Sequence, residues 1–171
     1  MKKFLIILLF LPIIGFGQQW EQFYGGNSYD SGSSVKETLD LGFIITGSTE
    51  SFSNVSSNLY LIKTDSLGDT LWTKTVGENI YNEYGIEVIK TNDSSYVVFG
   101  FEHNGNGKTA ILIKFNQLGD TVWHHSYYSE EDTKQEFLEK TTDNGFIFLG
   151  GGIMKMVFLL KQIALVLSNG L

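Results

Sequence analysis

The amino-acid sequence repeats itself with a period of about 50 residues. Residues 61–72 and residues 112–123 align at an offset of 51, and eight of the twelve positions are identical. A second segment occurs three times, as Thr38–Gly47, Thr91–Gly100 and Thr142–Gly150, at offsets of 53 and 50. A period of this length is typical of folds that stack one small unit several times, so it constrains the architecture more than any local pattern does.

Each repeat predicts four β-strands joined by short turns. The segments 40–42 and 65–69 predict tight turns, because Gly accepts a positive φ and Asp caps its own turn through local hydrogen bonds. The second and third strands are almost continuously apolar, which indicates that neighbouring sheets cover both of their faces. In the first repeat the predicted strands are 33–38, 43–47, 59–64 and 70–76.

Four strands per unit, a tryptophan on the fourth strand and two buried faces are typical of a β-propeller blade. We therefore predict an all-β fold, a partial β-propeller of about three four-stranded blades with a period near 51 residues, over residues 18–161. A β-sandwich is the alternative, but it does not explain the constant interval from glycine to tryptophan. The recurring positions, which we expect to serve folding rather than catalysis, are Trp20, Trp72, Trp123, Gly68, Gly119, Asp65, Asp69, Asn116, Asp120, Gly47, Gly100 and Gly150.

The repeat carries a resemblance to a known group of proteins. The pattern T-x-D-x-G-[FY]-[IV]-[IV]-x-G, followed by L-I-K-T-D-S-L-G-D-T-x-W, resembles the repeats of secreted β-propeller proteins of Bacteroidota over about residues 20–161. The resemblance implies export, commonly as cargo of a type IX secretion system. The intervals from Gly68 to Trp72 and from Gly119 to Trp123 also resemble, more weakly, the repeats of quinoprotein-like propellers, in which the tryptophan packs between blades.

Residues 1–17 predict a secretory signal peptide. Lys2 and Lys3 precede an apolar run from Phe4 to Ile14, and the small residues Gly15 and Gly17 suit a signal peptidase. The apolar run is too short to cross a bilayer, so we expect cleavage and no transmembrane span, and an uncleaved anchor is the alternative. The protein is then expected to be secreted, periplasmic or on the cell surface.

The last ten residues, 162–171, depart from the repeat. After Lys161 the pattern predicts a Thr-Asp-Ser turn and a tryptophan, which the sequence lacks there. Permitted codons for residues 161–171, read from the third base, encode Thr-Asp-Ser-Val-Gly-Phe-Ile-Lys-Trp-Val. We therefore predict that one nucleotide has been lost near codon 161, which places the tail out of frame. The alternative is a genuine apolar strand or helix over residues 157–167.

About three blades are fewer than the four to eight of a closed ring. The segment Trp20–Gly25 matches the fourth strand Trp72–Gly77, and in a closed ring such a segment completes the last blade. Open faces and edges of a partial propeller favour pairing with other chains. Self-association through blade edges, including a six-bladed ring of two copies, is therefore a candidate property.

Composition argues against several classes of function. All twelve basic residues are Lys, and the nineteen Asp and Glu residues give a net charge of −7. Nucleic-acid binding needs a basic face and favours Arg, so we expect no nucleic-acid partner. The sequence contains no Cys, which excludes disulfides and zinc sites built from Cys.

No residue pattern predicts catalysis, a cofactor or a metal. His124 and His125 are adjacent on a predicted strand, where successive side chains point to opposite faces, so they are poorly placed to bind one metal. Glu130–Asp132 lacks the alternating oxygen ligands of a calcium loop. Gly105–Thr109 lacks the spacing of a phosphate-binding loop and predicts a hairpin connection. The tryptophans could stack on sugars, but their periodic spacing favours packing between blades.

The sequence therefore predicts a non-enzymatic secreted repeat module, a scaffold or binding surface for an extracellular protein or a glycan. Recognition is expected in the loops 50–58, 101–108 and 126–134, which differ where the framework repeats. Two alternatives stay open. One is a fragment of a larger propeller enzyme, quinoprotein-like or hydrolytic, whose catalytic blades are absent. The other is a truncated product with no independent function.

Overall fold

The computed structural model describes residues 20–53, 56–77, 80–103, 107–129, 137–149 and 157–160. Within these ranges the fold is all-β and contains no helix. The predicted signal peptide, Gly150 and the tail 162–171 lie outside them. The strands are β1 (Asp30–Glu37), β2 (Phe43–Thr49), β3 (Asn58–Thr64), β4 (Thr70–Val76), β5 (Asn82–Lys90), β6 (Tyr96–His103), β7 (Lys108–Phe115), β8 (Thr121–Ser129), β9 (Phe137–Lys140), β10 (Phe146–Leu149) and β11 (Val157–Leu160).

The strands form three antiparallel sheets in the described part of the chain, each built from strands that are consecutive in sequence. The first sheet has the order β1-β2-β3-β4, and the second has the order β5-β6-β7-β8. The third contains β9, β10 and β11, with β10 in the middle. The prediction of four strands per repeat is thus confirmed for the first two repeats, and β4 has the predicted bounds.

Connections of two kinds lie at opposite ends of each sheet. Tight turns join β1 to β2 and β3 to β4 at the turn end, and equivalent turns close the second sheet. The connections between β2 and β3 and between β6 and β7 lie at the other end, the loop end. The turns of the turn end are 38–42, 65–69, 91–95, 116–120 and 141–145.

The first turn of each repeat uses a positive φ at a residue other than glycine. Leu41, Ser94 and Asn144 have φ values of 63°, 59° and 62°. The expectation that the glycine of turn 40–42 supplies the positive φ was therefore wrong. Gly42 is needed for space instead, because a Cβ there would lie 2.1 Å from the carbonyl oxygen of Thr64.

The third repeat starts one residue earlier than the sequence alignment suggested. The Thr141 amide donates to the carbonyl of Gly145 at 2.9 Å, as the Thr38 amide donates to Gly42 at 2.7 Å. Thr141, rather than Thr142, is therefore the equivalent of Thr38.

The sheets stack face to face. Strand β5 lies against β1, β2 and β3, so the first strand of one sheet contacts the preceding sheet. All of β3 is buried, and so is β7 after its first residue, which confirms that both faces of these strands are covered. Burial of each large apolar side chain contributes about 1.5–3 kcal/mol. The core between the first and second sheets comprises Ile44, Leu59, Leu61, Val88, Tyr96, Val98, Ile111, Ile113 and Phe115. The core between the second and third comprises Val97, Phe99, Phe101, Ala110, Leu112, Leu138, Phe146 and Phe148.

Candidate functional site

The tryptophans on the fourth strands pack against the sheet that follows them. Trp72, on β4, has its ring centroid 6.3 Å from that of Tyr96 in the second sheet. Trp123, on β8, lies 6.1 Å from Phe146 in the third sheet. Tyr96 and Phe146 are the first residues of their strands. The two tryptophans therefore occupy equivalent positions between successive sheets.

Trp20 makes the same kind of contact with the first sheet, where its ring centroid is 5.8 Å from that of Phe43. A Cβ on Gly68 would lie 2.7 Å from the ring of Trp20, and a Cβ on Gly119 would lie 3.0 Å from the ring of Trp72. Both glycines therefore provide the space in which the indole lies. The segment that begins at Trp20 takes the place on the first sheet that β4 takes on the second.

Asp69 and Asp120 link these neighbouring segments. Gln22 Nε2 donates to Asp69 Oδ1 at 3.2 Å, and Lys74 Nζ lies 3.7 Å from Asp120 Oδ1. Gln22 and Lys74 each lie two residues after a tryptophan, so the two contacts are equivalent. Pairs as exposed as these contribute less than about 1 kcal/mol, and their role is to set the position of one segment on the next.

Asp65 and Asn116 shape the turn that precedes the fourth strand. Asp65 Oδ1 accepts hydrogen bonds from the backbone amides two and four residues later, at 2.8 and 2.9 Å. Asn116 Oδ1 does the same at 2.9 and 2.9 Å. Gly68 and Gly119 have φ values of 86° and 80°, in the left-handed region that favours glycine. The two turns therefore have the same hydrogen bonds and the same backbone conformation at their glycine.

Gly47 and Gly100 permit close contact between the first two strands of a sheet. A Cβ on Gly47 would lie 1.8 Å from the carbonyl oxygen of Ser31, and one on Gly100 would lie 2.2 Å from that of Tyr84. A β-bulge follows on the partner strand in both sheets. The third member of the set, Gly150, lies outside the described residues.

A cross-strand ion pair that the sequence patterns did not predict recurs in both complete sheets. Lys63 Nζ lies 2.9 Å from Asp40 Oδ2, and Lys114 Nζ lies 2.7 Å from Asp93 Oδ2. Both lysine side chains are only 4% exposed. The threonine two residues before each aspartate donates a further hydrogen bond to its carboxylate. The available signal was the Lys of the repeated Leu-Ile-Lys, a charge in an otherwise apolar strand.

These contacts keep both carboxylates ionised. Hydrogen bonds from Thr38 and Lys63, with the charge of the lysine, lower the pKa of Asp40 to about 2. Burial would raise the pKa of Asp93, but hydrogen bonds from Lys114 and the neighbouring threonine outweigh it, and the pKa is lowered. Each pair ties the first turn of a repeat to its third strand, so it is a structural element of the turn end.

At the loop end, Asp30 organises the connection that follows β2. Its carboxylate accepts hydrogen bonds from the Gly26 amide at 2.8 Å, from Ser51 Oγ at 2.6 Å and from the Thr49 hydroxyl. Burial would raise the pKa of Asp30, but these hydrogen bonds outweigh it and lower the pKa. The predicted recognition loops are described in part, because residues 54–55, 104–106 and 130–136 lie outside the described ranges.

The two adjacent histidines do not converge on one site. His125 stacks between Trp123 and Tyr127, with ring centroids 5.1 and 6.5 Å away, and these residues share its face of β8. His124 points to the other face, and burial lowers the pKa of its imidazole. Among the residues whose positions are described, no three His, Asp or Glu side chains group to hold a metal ion.

Two other segments of interest fall partly or wholly outside the described residues. Glu130–Asp132 is not described. Gly105 and Asn106 also lie outside the described residues, whereas Lys108 and Thr109 begin β7, which pairs antiparallel with β6. A search of the described ranges finds no helix that has the length and apolar character needed to span a bilayer.

A cleft of about 650 Å³ opens between the first and second sheets at the turn end. Trp72 and Tyr96 line this cleft together with the exposed residues Leu39, Leu71 and Leu118. Its volume lies within the range of roughly 300–1,000 Å³ that is typical of small-molecule sites.

Comparison of the chain with models of known protein families and with curated protein sequences found no match.

Proposed function

We propose that the three sheets are successive blades of a β-propeller, and that the protein is a non-enzymatic secreted module that binds an extracellular protein or a glycan. The observation that carries the proposal is the recurrence of one set of contacts at each junction. Trp20, Trp72 and Trp123 each meet the first residue of the second strand in the next sheet. Such repetition favours a stack that continues by one constant step, as in a propeller.

The recurring side chains are engaged in folding, which directs recognition to the loop end. The turn end is built from hydrogen bonds and ion pairs that are the same in both complete sheets. At the loop end the side chains of Tyr29 and Phe52 are 67% and 50% exposed, beside the polar groups of Asp30 and Ser51. Exposed aromatic rings next to hydrogen-bonding groups favour contact with sugars or with protein surfaces.

Export is part of the same proposal. The signal-peptide pattern of residues 1–17 supports passage across the inner membrane. The resemblance to secreted Bacteroidota propellers supports delivery to the cell surface or the medium, with a type IX system as the candidate route.

A glycan array probed with the full-length secreted product tests the binding function. We expect saturable binding to one class of glycan, without release of reducing sugar from it. Tyr29→Ser and Phe52→Ser should weaken this binding, whereas Leu67→Ser at the turn end, where the side chain is 62% exposed, should leave it unchanged. Extracellular matrix proteins spotted on the same array test whether the partner is a protein.

Turnover of a bound glycan, or binding that the loop-end variants leave intact, would contradict the proposed function. The blade assignment has its own test. A crystal structure in which successive sheets are not related by a constant rotation about one axis would overturn it.

A further inference from the structure

The cleft at the turn end lies at a junction where one repeat position differs from its equivalent at the next junction. At the junction of the second and third sheets, Asn92 Nδ2 donates to Asn144 Oδ1 at 2.8 Å. Lys140 Nζ donates to Asn92 Oδ1. These two hydrogen bonds connect the turn of one sheet to the first strand and first turn of the next.

At the junction of the first and second sheets the equivalent positions are Leu39, Ser94 and Lys90, and all three line the cleft. Leu39 has no polar group, so it cannot form either of the two hydrogen bonds that Asn92 forms. Its side chain is 79% exposed. The connection is therefore missing here, and the gap between the two sheets stays accessible.

The walls of this gap are apolar to an unusual degree for an exposed surface. Leu71 and Leu118 are 56% and 72% exposed, and they stand with Leu39 around the rings of Trp72 and Tyr96. Soluble proteins seldom expose several large apolar side chains together unless they bind something.

The charges of the lining leave one cation without a partner. Lys63 is paired with Asp40 at 2.9 Å, so that pair is neutral. Lys90 has no acidic partner among the described residues. A carboxylate that enters the cleft would supply the charge that Lys90 lacks, and the apolar body attached to it would cover the leucines.

We propose that this cleft binds a small amphipathic carboxylate, such as a medium-chain fatty acid. The carboxylate pairs with the Lys90 ammonium, and the chain lies on Trp72 between Leu39, Leu71 and Leu118. The cleft is at the opposite end of the sheets from the surface proposed for glycan or protein recognition. This proposal can therefore be tested independently of that function.

The probe for the test is 11-(dansylamino)undecanoate, whose fluorescence rises in an apolar site, and decanoate serves as the competitor. The wild-type chain should give a saturable signal that decanoate displaces better than decanol does. Leu39→Asn introduces the side chain found at the equivalent position 92. It should weaken probe binding about tenfold, because it removes one apolar contact and allows hydrogen bonds that close the gap between the two sheets. Lys90→Gln should weaken decanoate binding roughly two- to fivefold and remove its advantage over decanol.

Leu41→Asn is the matched control, because it makes the same substitution two residues away on a side chain that does not line the cleft. It should leave probe binding unchanged. Circular dichroism should show that all variants keep the fold. The proposal is overturned if the wild-type signal does not saturate, if Leu39→Asn binds as the wild type does, or if Leu41→Asn lowers binding as much as Leu39→Asn.

Discussion

Breaking the Lys63–Asp40 pair from its two sides should have unequal effects on stability. The side chain of Lys63 is 4% exposed, whereas that of Asp40 is 56% exposed. Asp40→Asn leaves the buried ammonium group without a counter-charge and with neutral acceptors alone, such as the Thr64 carbonyl oxygen 2.7 Å away. Lys63→Met removes the buried charge, fills similar space with apolar atoms and leaves a carboxylate that water can reach.

The expected magnitudes follow from this asymmetry. Removing one partner of a fully buried ion pair costs about 3–5 kcal/mol. Water at the exposed carboxylate screens this pair, so we expect Asp40→Asn to lower the free energy of unfolding by about 1–2 kcal/mol at neutral pH. Replacement of a buried charge by an apolar side chain is often close to neutral, so Lys63→Met should stay within about 1 kcal/mol of the wild type.

The effect of Asp40→Asn should also depend on pH. The pKa of Asp40 is lowered from 3.8 to about 2 in the folded protein, so folding favours the ionised form. The stability that this carboxylate contributes is therefore present above about pH 4 and is lost as the pH falls toward 2. The difference between the wild type and Asp40→Asn should shrink over that interval.

Urea unfolding followed by tryptophan fluorescence at pH 7, 4 and 2.5 measures all of these quantities. Asp93→Asn in the second sheet provides a replicate, because Asp93 forms the same pair with Lys114. The reasoning would be refuted if Lys63→Met proved as destabilising as Asp40→Asn at pH 7, or if the effect of Asp40→Asn grew as the pH fell.

Three further predictions, each measured by urea unfolding, concern the junctions and turns. Gly119→Ala places a Cβ 3.0 Å from the Trp72 ring at a φ of 80°, and it should lower the free energy of unfolding by about 2 kcal/mol. Gly32→Ala is the control, because a Cβ there has only one atom within 4.0 Å, and it should cost less than half as much. Equal costs would contradict the steric argument. Trp72→Ala should lower the free energy of unfolding by about 2–3 kcal/mol. Trp20→Ala should lower it less, because Trp20 is 44% exposed. The reverse order would contradict the assignment of the two tryptophans to equivalent sites of unequal burial. Leu41→Asn should raise stability by about 0.5 kcal/mol, because Asn tolerates a φ of 63° better than Leu does; a loss of stability would show that the Leu41 side chain makes a contact of its own.

The sequence predicted those features of the fold that depend on local pattern and repetition. An offset of 51 between the two Leu-Ile-Lys segments placed β3 and β7, and the Gly-to-Trp interval placed Trp72 and Trp123 between sheets. Asp65 could be assigned to its turn because an Asp side chain bonds to backbone amides two to four residues later, whatever the rest of the fold does.

Features that depend on contacts across strands could not be predicted in the same way. A lysine in an apolar strand is compatible with an edge, a bulge or a buried pair, and only the pairing of β3 beside the first turn brings Lys63 to Asp40. The positive φ at Leu41 was missed because glycine is the usual residue there, whereas Gly42 serves a close approach to Thr64. The ion pair of Lys63 with Asp40 and the close approach of Gly42 to Thr64 each join residues that are more than 20 positions apart in the chain.

The repeats themselves show where a site differs from a scaffold. Positions with the same residue chemistry at each junction, such as Asp69 and Asp120, are accounted for by the contact that they share. Where the residue type differs between repeats although the backbone conformation is the same, the shared fold does not explain the difference. Leu39, which is the equivalent of Asn92 in the preceding repeat, is such a position. Asn92 forms two hydrogen bonds to the next sheet, whereas Leu39 places an exposed apolar side chain in the lining of a cleft. The contacts reveal no gain in folding from that difference, whereas the ligand that we propose for this cleft would cover the exposed leucine.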